Sequence, residues 1–242
     1  MVRVIRTIPV ERLKLLVFDL DGTLIDSAQD LCNSVNATLA EFDLAPLPDK
    51  VVASYIGDGA MMLVRRGLFG PDATEVDEGF LERAYAFFLD YYREHKLDFT
   101  YVYGGVLEAL TALRTGPDGS ARSMSVLTNK PVRPAQAICE ALGLAPFFKN
   151  VYGGNSFAMK KPDPMGMRAL MDEAGAQPEE TVLIGDSEVD VATARNAGTW
   201  VIGCTFGLSP QGLAANPPDV LVDTPQEWMA ALDPATSGVQ LQ

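Results

Sequence analysis

The feature that most constrains the fold is a rhythm of short apolar runs separated by segments of helical period. The first run, residues 15–20, ends in Asp-Gly. Others fall at 124–128, 150–152, 182–185, 200–203 and 220–222. Their length and β-branched content favour buried strands, although periodicity alone does not separate these from buried helix. Between them lie apolar residues at helical spacing: Val106, Leu107, Leu110 and Leu113; then Pro134, Ile138 and Leu142; then the stretches 168–174 and 189–197. Strand alternating with helix predicts an α/β fold with a Rossmann-like parallel sheet and helices on both faces.

One stretch breaks the rhythm. From about Ser27 to Tyr103 there is no convincing strand. Leu31, Val35 and Leu39 repeat every four residues, and Phe80, Ala84, Phe87, Phe88 and Tyr91 form a second helical stripe. The simplest arrangement is a helical insertion at the C-terminal end of the first strand. This predicts an α/β core over 1–26 and 104–233, a helical cap domain over 27–103, and a loose tail over 234–242. Open α/β sheets bind ligands at those strand ends, so the insertion would make a natural lid.

Composition narrows the function classes. The chain has 32 acidic and 19 basic residues, a formal charge of −13. That argues against bulk binding to nucleic acid or to an anionic membrane. No apolar run approaches the roughly 18–20 residues of a membrane span. The single histidine, His95, argues against a site built mainly from histidines. Cys32, Cys139 and Cys204 are far apart and form no CxxC pair, which argues against a cysteine zinc site or a disulfide framework. The N-terminal residues lack a secretory apolar region followed by a small-residue cleavage site. The expectation is a cytoplasmic protein with reduced thiols.

Four segments carry residues suited to chemistry. Asp19 and Asp21 close the first strand, and residues two apart on a strand point to the same face. Two converging carboxylates are costly unless a cation or a proton sits between them. An oxygen pair without a nearby histidine suits a hard cation, Mg²⁺ above zinc. Solvation of a strand end or capping of a turn is the bland alternative. Asp186 and Asp190 follow another apolar run and are four apart, so a helix starting there stacks them on one face. Either alone is also explained as a helix N-cap. Thr128 and Asn129 follow the run at 124–128, where a hydroxyl and amides can hold a phosphate oxygen, although Thr-Asn-Lys-Pro is also ordinary turn chemistry. Lys161 precedes Pro162 and Pro164, which would fix the aim of its side chain, although a solvated surface lysine is the ordinary alternative.

Taken in order, these segments read DxDGT, T-N, K-P and GDxxxD, and the chain resembles the haloacid dehalogenase superfamily in its phosphatase branch. The resemblance runs from about Leu15 to Leu232, and the insertion resembles that family's C1-type cap. It implies Asp19 as nucleophile, forming an aspartyl-phosphate, and Asp21 as acid and then base. It implies Mg²⁺ held by Asp19, the backbone carbonyl of Asp21, and Asp186, with Asp190 a further ligand or a support. Thr128, the Asn129 amide and Lys161 would bind phosphate oxygens, with the Gly22 amide adding to the set. Dehalogenases of the superfamily lack the second aspartate, so Asp21 favours phosphoryl transfer.

Residues 55–67 resemble the cap segment of phosphoglycolate phosphatases. Gly57 and Gly59 would let a tight loop approach the site, and Arg65 or Arg66 could meet a substrate carboxylate. The bland reading of both arginines is solvated helix. His95 reads as a partly exposed packing residue, and Phe87, Phe88, Tyr91 and Tyr92 as cap core. The leading expectation is a Mg²⁺-dependent phosphatase acting on a small phosphorylated metabolite, as a monomer or homodimer. Alternatives are a phosphosugar mutase, a pyrophosphate or nucleotide hydrolase of the same superfamily, and a non-catalytic phospho-binding module.

Overall fold

The computed structural model describes residues 1–234, so the tail expected from 234 onward lies, Pro234 aside, outside the described residues. Nine strands are found there: β1 (Arg3–Val4), β2 (Leu15–Phe18), β3 (Ile25–Asp26), β4 (Tyr101–Val102), β5 (Ser123–Leu127), β6 (Asn150–Tyr152), β7 (Thr181–Gly185), β8 (Trp200–Cys204) and β9 (Val220–Val222). Seven make one sheet in the order β1-β9-β8-β7-β2-β5-β6. All neighbours are parallel except β1, which pairs antiparallel with β9. Each of the six expected core runs is a strand of this sheet. β1 is two residues long, too short to leave a periodic signal.

Alternation along the strands divides the core between the two faces. Leu16, Phe18, Val182 and Ile184 enter one buried cluster, while Leu15, Val17 and Leu183 enter another. The faces are covered by α5 (Val106–Leu113), α6 (Val132–Ala141), α7 (Met165–Ala174), α8 (Glu188–Ala197) and α9 (Glu227–Ala231), which follow the earlier helices α1 to α4 in chain order.

Those earlier helices, α1 (Ala28–Glu41), α2 (Asp49–Ala53), α3 (Ala60–Phe69) and α4 (Glu78–His95), fill the interval where no strand was expected. That expectation is corrected at its end, because β4 pairs antiparallel with β3 and registers Ile25 opposite Val102. Two short strands thus close the base of the helical insertion. Asp30, buried at 1% exposure, adds a polar tie. Its carboxylate accepts bonds from the backbone N–H of Phe99 and of Thr100 and from the Thr100 hydroxyl, at 2.7–3.1 Å. Hydrogen bonds to a carboxylate of this kind are about twice as strong as neutral ones.

On α1, Leu31, Val35 and Leu39 are buried as their spacing predicts. On α4 the aromatic stripe is split. Phe88 and Tyr92 are buried, whereas Phe87 and Tyr91 are only half-buried and stack on each other outside the core. A helix has about 3.6 residues per turn, so a run of adjacent aromatics cannot all face one way. His95 stacks on Tyr91 at 4.2 Å and contacts Asp98 Oδ2 at 2.8 Å, a half-buried packing residue of the cap surface. No helix among the described residues is long and apolar enough to cross a membrane.

Candidate active site

The sheet places the site at its switch point. The chain runs from β2 to β5 on one side and later returns to β7 on the other, which leaves a crevice at the C-terminal ends of the three strands. Register aligns those ends, since Phe18 pairs with Val126 of β5 and Ile184 of β7. Asp19, Thr128 and Asp186 therefore leave the sheet within about one residue of the same level, and Asp19 N–H still donates to Ile184 O at 2.9 Å.

The carboxylates of Asp19, Asp186 and Asp190 converge, with one oxygen from each lying within 4.8 Å of the others, and all three are buried. Burial, and secondarily repulsion from Asp190, pushes Asp186 up to about 8. For Asp19 burial is again the largest cause; Lys161 pulls the other way, and the group rests at about 6. A positive charge placed among these carboxylates would favour their ionised forms. A hard divalent ion with oxygen ligands fits this donor set. Asp21 is not in the cluster. Its Oδ1 accepts from Ser27 Oγ at 2.5 Å and Lys130 Nζ at 2.8 Å.

Asp186 is aimed by two backbone N–H groups, Leu208 at 2.7 Å and Ser209 at 2.9 Å, both donating to Oδ2. Its carboxylate also packs against Gly22, where an added Cβ would fall 2.3 Å from Oδ2. Gly22 thus serves by leaving space. Its N–H is committed to Ile25 O at 2.8 Å, which corrects the expectation that this amide faces a phosphate oxygen.

Asp190 is fully buried, and both its oxygens have partners. Oδ1 accepts from Lys161 Nζ at 2.6 Å, and Oδ2 accepts from Ser187 N–H at 3.1 Å and Ser187 Oγ at 2.6 Å. Ser187, not either aspartate, is the N-cap of α8, and Asp190 is its N3 partner in a capping box, which corrects the N-cap alternative while Asp190 keeps its place in the acidic cluster. Lys161 bridges Asp190 to Asp19 Oδ1 at 2.8 Å. Burial works against its charge, but Asp19 and Asp190 outweigh that and raise its pKa. Thr128 is buried at the end of β5, and its hydroxyl accepts from Lys130 N–H at 3.2 Å.

The insertion lies over these groups. The α2–α3 loop reaches the core through three hydrogen bonds: Asn129 Nδ2 to Gly57 O, 3.2 Å; Ser209 Oγ to Ile56 O, 3.0 Å; and Lys160 Nζ to Asp58 O, 2.5 Å. Gly59 makes the close approach possible. It has φ +87°, and a Cβ there would lie 2.8 Å from Asn129 O. Between cap and core a cavity of about 40 Å³ remains, lined by Asp19, Asp21, Thr128, Asn129, Lys130 and Tyr92 among others.

The cap arginines are not brought to this cavity. Arg65 donates to Ala73 O, and Arg66 pairs with Asp58 Oδ2 at 2.5 Å and donates to Tyr55 O. Their positions on α3 turn both guanidiniums toward the cap's own loops, so a carboxylate in the cavity does not meet them here. The groups that sequence reasoning passed over are Lys130, Ser27, Tyr92 and the amides of Leu208 and Ser209. Lys130 carried a usable signal, since it stands directly after Thr128-Asn129 at a strand end. The amides carried none.

An α/β enzyme working at the ends of three parallel strands, with buried carboxylates beside a lysine, is the class that this fold and site define. The family model described as haloacid dehalogenase-like hydrolase matches residues 16–204, and the chain belongs to that family. A phosphoglycolate phosphatase of Rhodospirillum rubrum is 41% identical over 207 residues, covering 84% of this chain and 83% of that one. One of Pseudomonas putida is 37% identical over 227 residues, covering 92% and 81%. Among solved structures, a predicted phosphoglycolate phosphatase of Haemophilus somnus superposes with a TM-score of 0.83 at 31% identity, covering 92% of this chain and 99% of that one.

Proposed function

We propose that the protein is a Mg²⁺-dependent phosphatase that hydrolyses a short phosphomonoester through an aspartyl-phosphate, with 2-phosphoglycolate as its substrate class. The observation that carries this reading is the pairing of a nucleophile-ready carboxylate with a second acid two residues on, each held by its own buried lysine. Lys161 meets Asp19 at 2.8 Å and Lys130 meets Asp21 at 2.8 Å.

In this reading Asp19 attacks phosphorus, and its Oδ1 is held in line by Lys161. Asp21 donates a proton to the departing ester oxygen, then takes one from the water that cleaves the acyl phosphate. Ser27 Oγ and Lys130 Nζ fix its carboxylate for both steps. Thr128 and Lys161 bind the peripheral phosphate oxygens and meet the charge that develops there. Asp19, the Asp21 carbonyl and Asp186 would hold the metal, while Asp190 fixes Lys161 and the start of α8. When bound, the ion supplies Lewis-acid polarisation and charge neutralisation.

Three buried free thiols accord with the cytoplasmic location expected from sequence.

The test is phosphate release from a panel of about 50 phosphorylated metabolites, with Mg²⁺ or with a chelator. The expected result is Mg²⁺-dependent release with the highest kcat/KM on 2-phosphoglycolate. Isomerised sugar phosphate as the main product, or no release from any compound, would overturn the reading.

A further inference from the structure

Two groups in the cavity do more than the reaction above requires. Tyr92, on α4 of the cap, is 3% exposed, and its hydroxyl makes no hydrogen bond within 3.5 Å among the described residues, with the Lys130 ammonium acting on it from nearby. Leaving a buried hydroxyl unpaired is costly, so its retention points to something that pairs with it. Lys130, from the core, is 5% exposed, and its Nζ sits 4.8 Å over the Tyr92 ring while touching Asp21. An ammonium has three donors, and Asp21 Oδ1 takes one. A core cation and a cap hydroxyl thus face the same small space beside the acid of the reaction.

We propose that Lys130 Nζ and the Tyr92 hydroxyl bind the carboxylate of the substrate. The assignment rests on the phosphatase reading and names the specificity groups of that site. Reach supports it. Asp21 has to contact the ester oxygen, and in an ester of the phosphoglycolate type the carboxylate begins two bonds further on, with its oxygens within about 3–4 Å of that ester oxygen. A cation that already touches Asp21 is therefore adjacent to the carboxylate. Arg65 and Arg66, the alternative cations, are held by Ala73 O and Asp58. A site built to pair with a carboxylate rejects an ester that lacks one, because Lys130 and Tyr92 would stay buried with donors unused. Since one partner comes from the cap and the other from the core, recognition and closure of the lid are the same event.

The test compares kcat/KM for 2-phosphoglycolate and for ethyl phosphate, at one pH and one Mg²⁺ concentration, in the wild type, Tyr92→Phe, Lys130→Met and Lys130→Arg. The preference for the carboxylate-bearing ester should fall at least about tenfold in Tyr92→Phe and in Lys130→Met, mainly through KM in the former. Lys130→Arg should keep part of it. Tyr92→Phe retains the ring and the packing, so the result does not hang on a buried lysine substitution that fails to fold. An unchanged preference in both variants refutes the assignment, as does an equal loss on both esters, which would mean that Lys130 serves Asp21 alone. A wild type that releases phosphate from neither ester overturns the phosphatase reading itself, and one that hydrolyses both equally well refutes the assignment; both outcomes are read before any variant is made.

Discussion

Without a bound cation, the protein should lose stability as pH rises from 5 to 8. The cause is the cluster of Asp19, Asp186 and Asp190, three buried carboxylates with oxygens within 4.8 Å of one another. Burial holds Asp19 up to about 6 and Asp186 up to about 8. In the unfolded chain both titrate near the ordinary aspartate value, about 3.9. The folded state therefore keeps protons that the unfolded state has already released. Stability from such groups is complete below the unfolded pKa and is lost as pH climbs through the folded one. The slope is about 1.4 kcal/mol per pH unit for each group that differs. From pH 5 to 8 this gives on the order of 4 kcal/mol for Asp186 and about 1 kcal/mol for Asp19. A chain of this size shifts its Tm by about 2–4 °C per kcal/mol, so the drop is of order 10 °C, and relaxation of the site leaves at least about 5 °C of it.

The assay is thermal unfolding in a chelating buffer from pH 5 to pH 8, repeated with saturating Mg²⁺. One histidine in the chain keeps that window otherwise nearly silent. With the cation bound the decline should vanish, and the gain in Tm from the cation should be larger at pH 8 than at pH 5, because protons compete for its ligands. Asp186→Asn should remove most of the slope in the metal-free protein, which separates the cluster from general charge repulsion. A metal-free Tm that is flat or rises across the window would refute the reasoning. So would a cation-induced gain at pH 5 equal to that at pH 8.

Two further outcomes follow from the geometry. Asp19→Asn should reduce phosphate release to background while leaving the Tm within a few degrees of wild type, since the amide keeps the shape; wild-type turnover in that variant would remove Asp19 as nucleophile. Gly59→Ala should lower kcat/KM by about tenfold or more, because φ +87° strains any L residue and the new Cβ meets Asn129 O only when the cap is down; a stopped-flow measurement of cap closure checks that the loss lies there.

The core was legible where its strands are short and mostly apolar and where helices of clear period, α5 to α8, stand between them. The two-residue strands β1, β3 and β4 were not, since their pairing is decided by the chain segments they meet and not by any pattern within them. The site was legible where its residues follow strand ends or, for Lys161, sit in the proline-bounded loop before α7: Asp19, Asp21, Thr128, Lys161 and Asp186 are brought together from segments spread between positions 19 and 186. Arg65 and Arg66 show where residue type misleads. A guanidinium is suited to a carboxylate, but the local loop supplies Asp58 and Ala73 O first. Tyr92 had the opposite fate. As one of several aromatics on a helix it read as core, and only the fold reveals that its hydroxyl faces a cavity and makes no hydrogen bond among the described residues.

The formal charge of −13 would repel an anionic substrate if it acted as a whole, so the site has to solve the problem locally. Around the cavity stand four carboxylates, Asp19, Asp21, Asp186 and Asp190, and two ammoniums, Lys130 and Lys161. With all four ionised, two negative charges remain in excess, the amount that one divalent cation neutralises. Both ammoniums are buried and fixed by short contacts, so their fields act within the cavity with little screening, whereas exposed charges more than about 8 Å away are screened at physiological salt. On the proposed reading each lysine also sits where an anion has to arrive: Lys161 beside Asp19, the attacking group, and Lys130 beside Asp21, which meets the departing oxygen. On that reading the lysine–aspartate pairing that offsets two of the four acids also marks the two ends of the substrate.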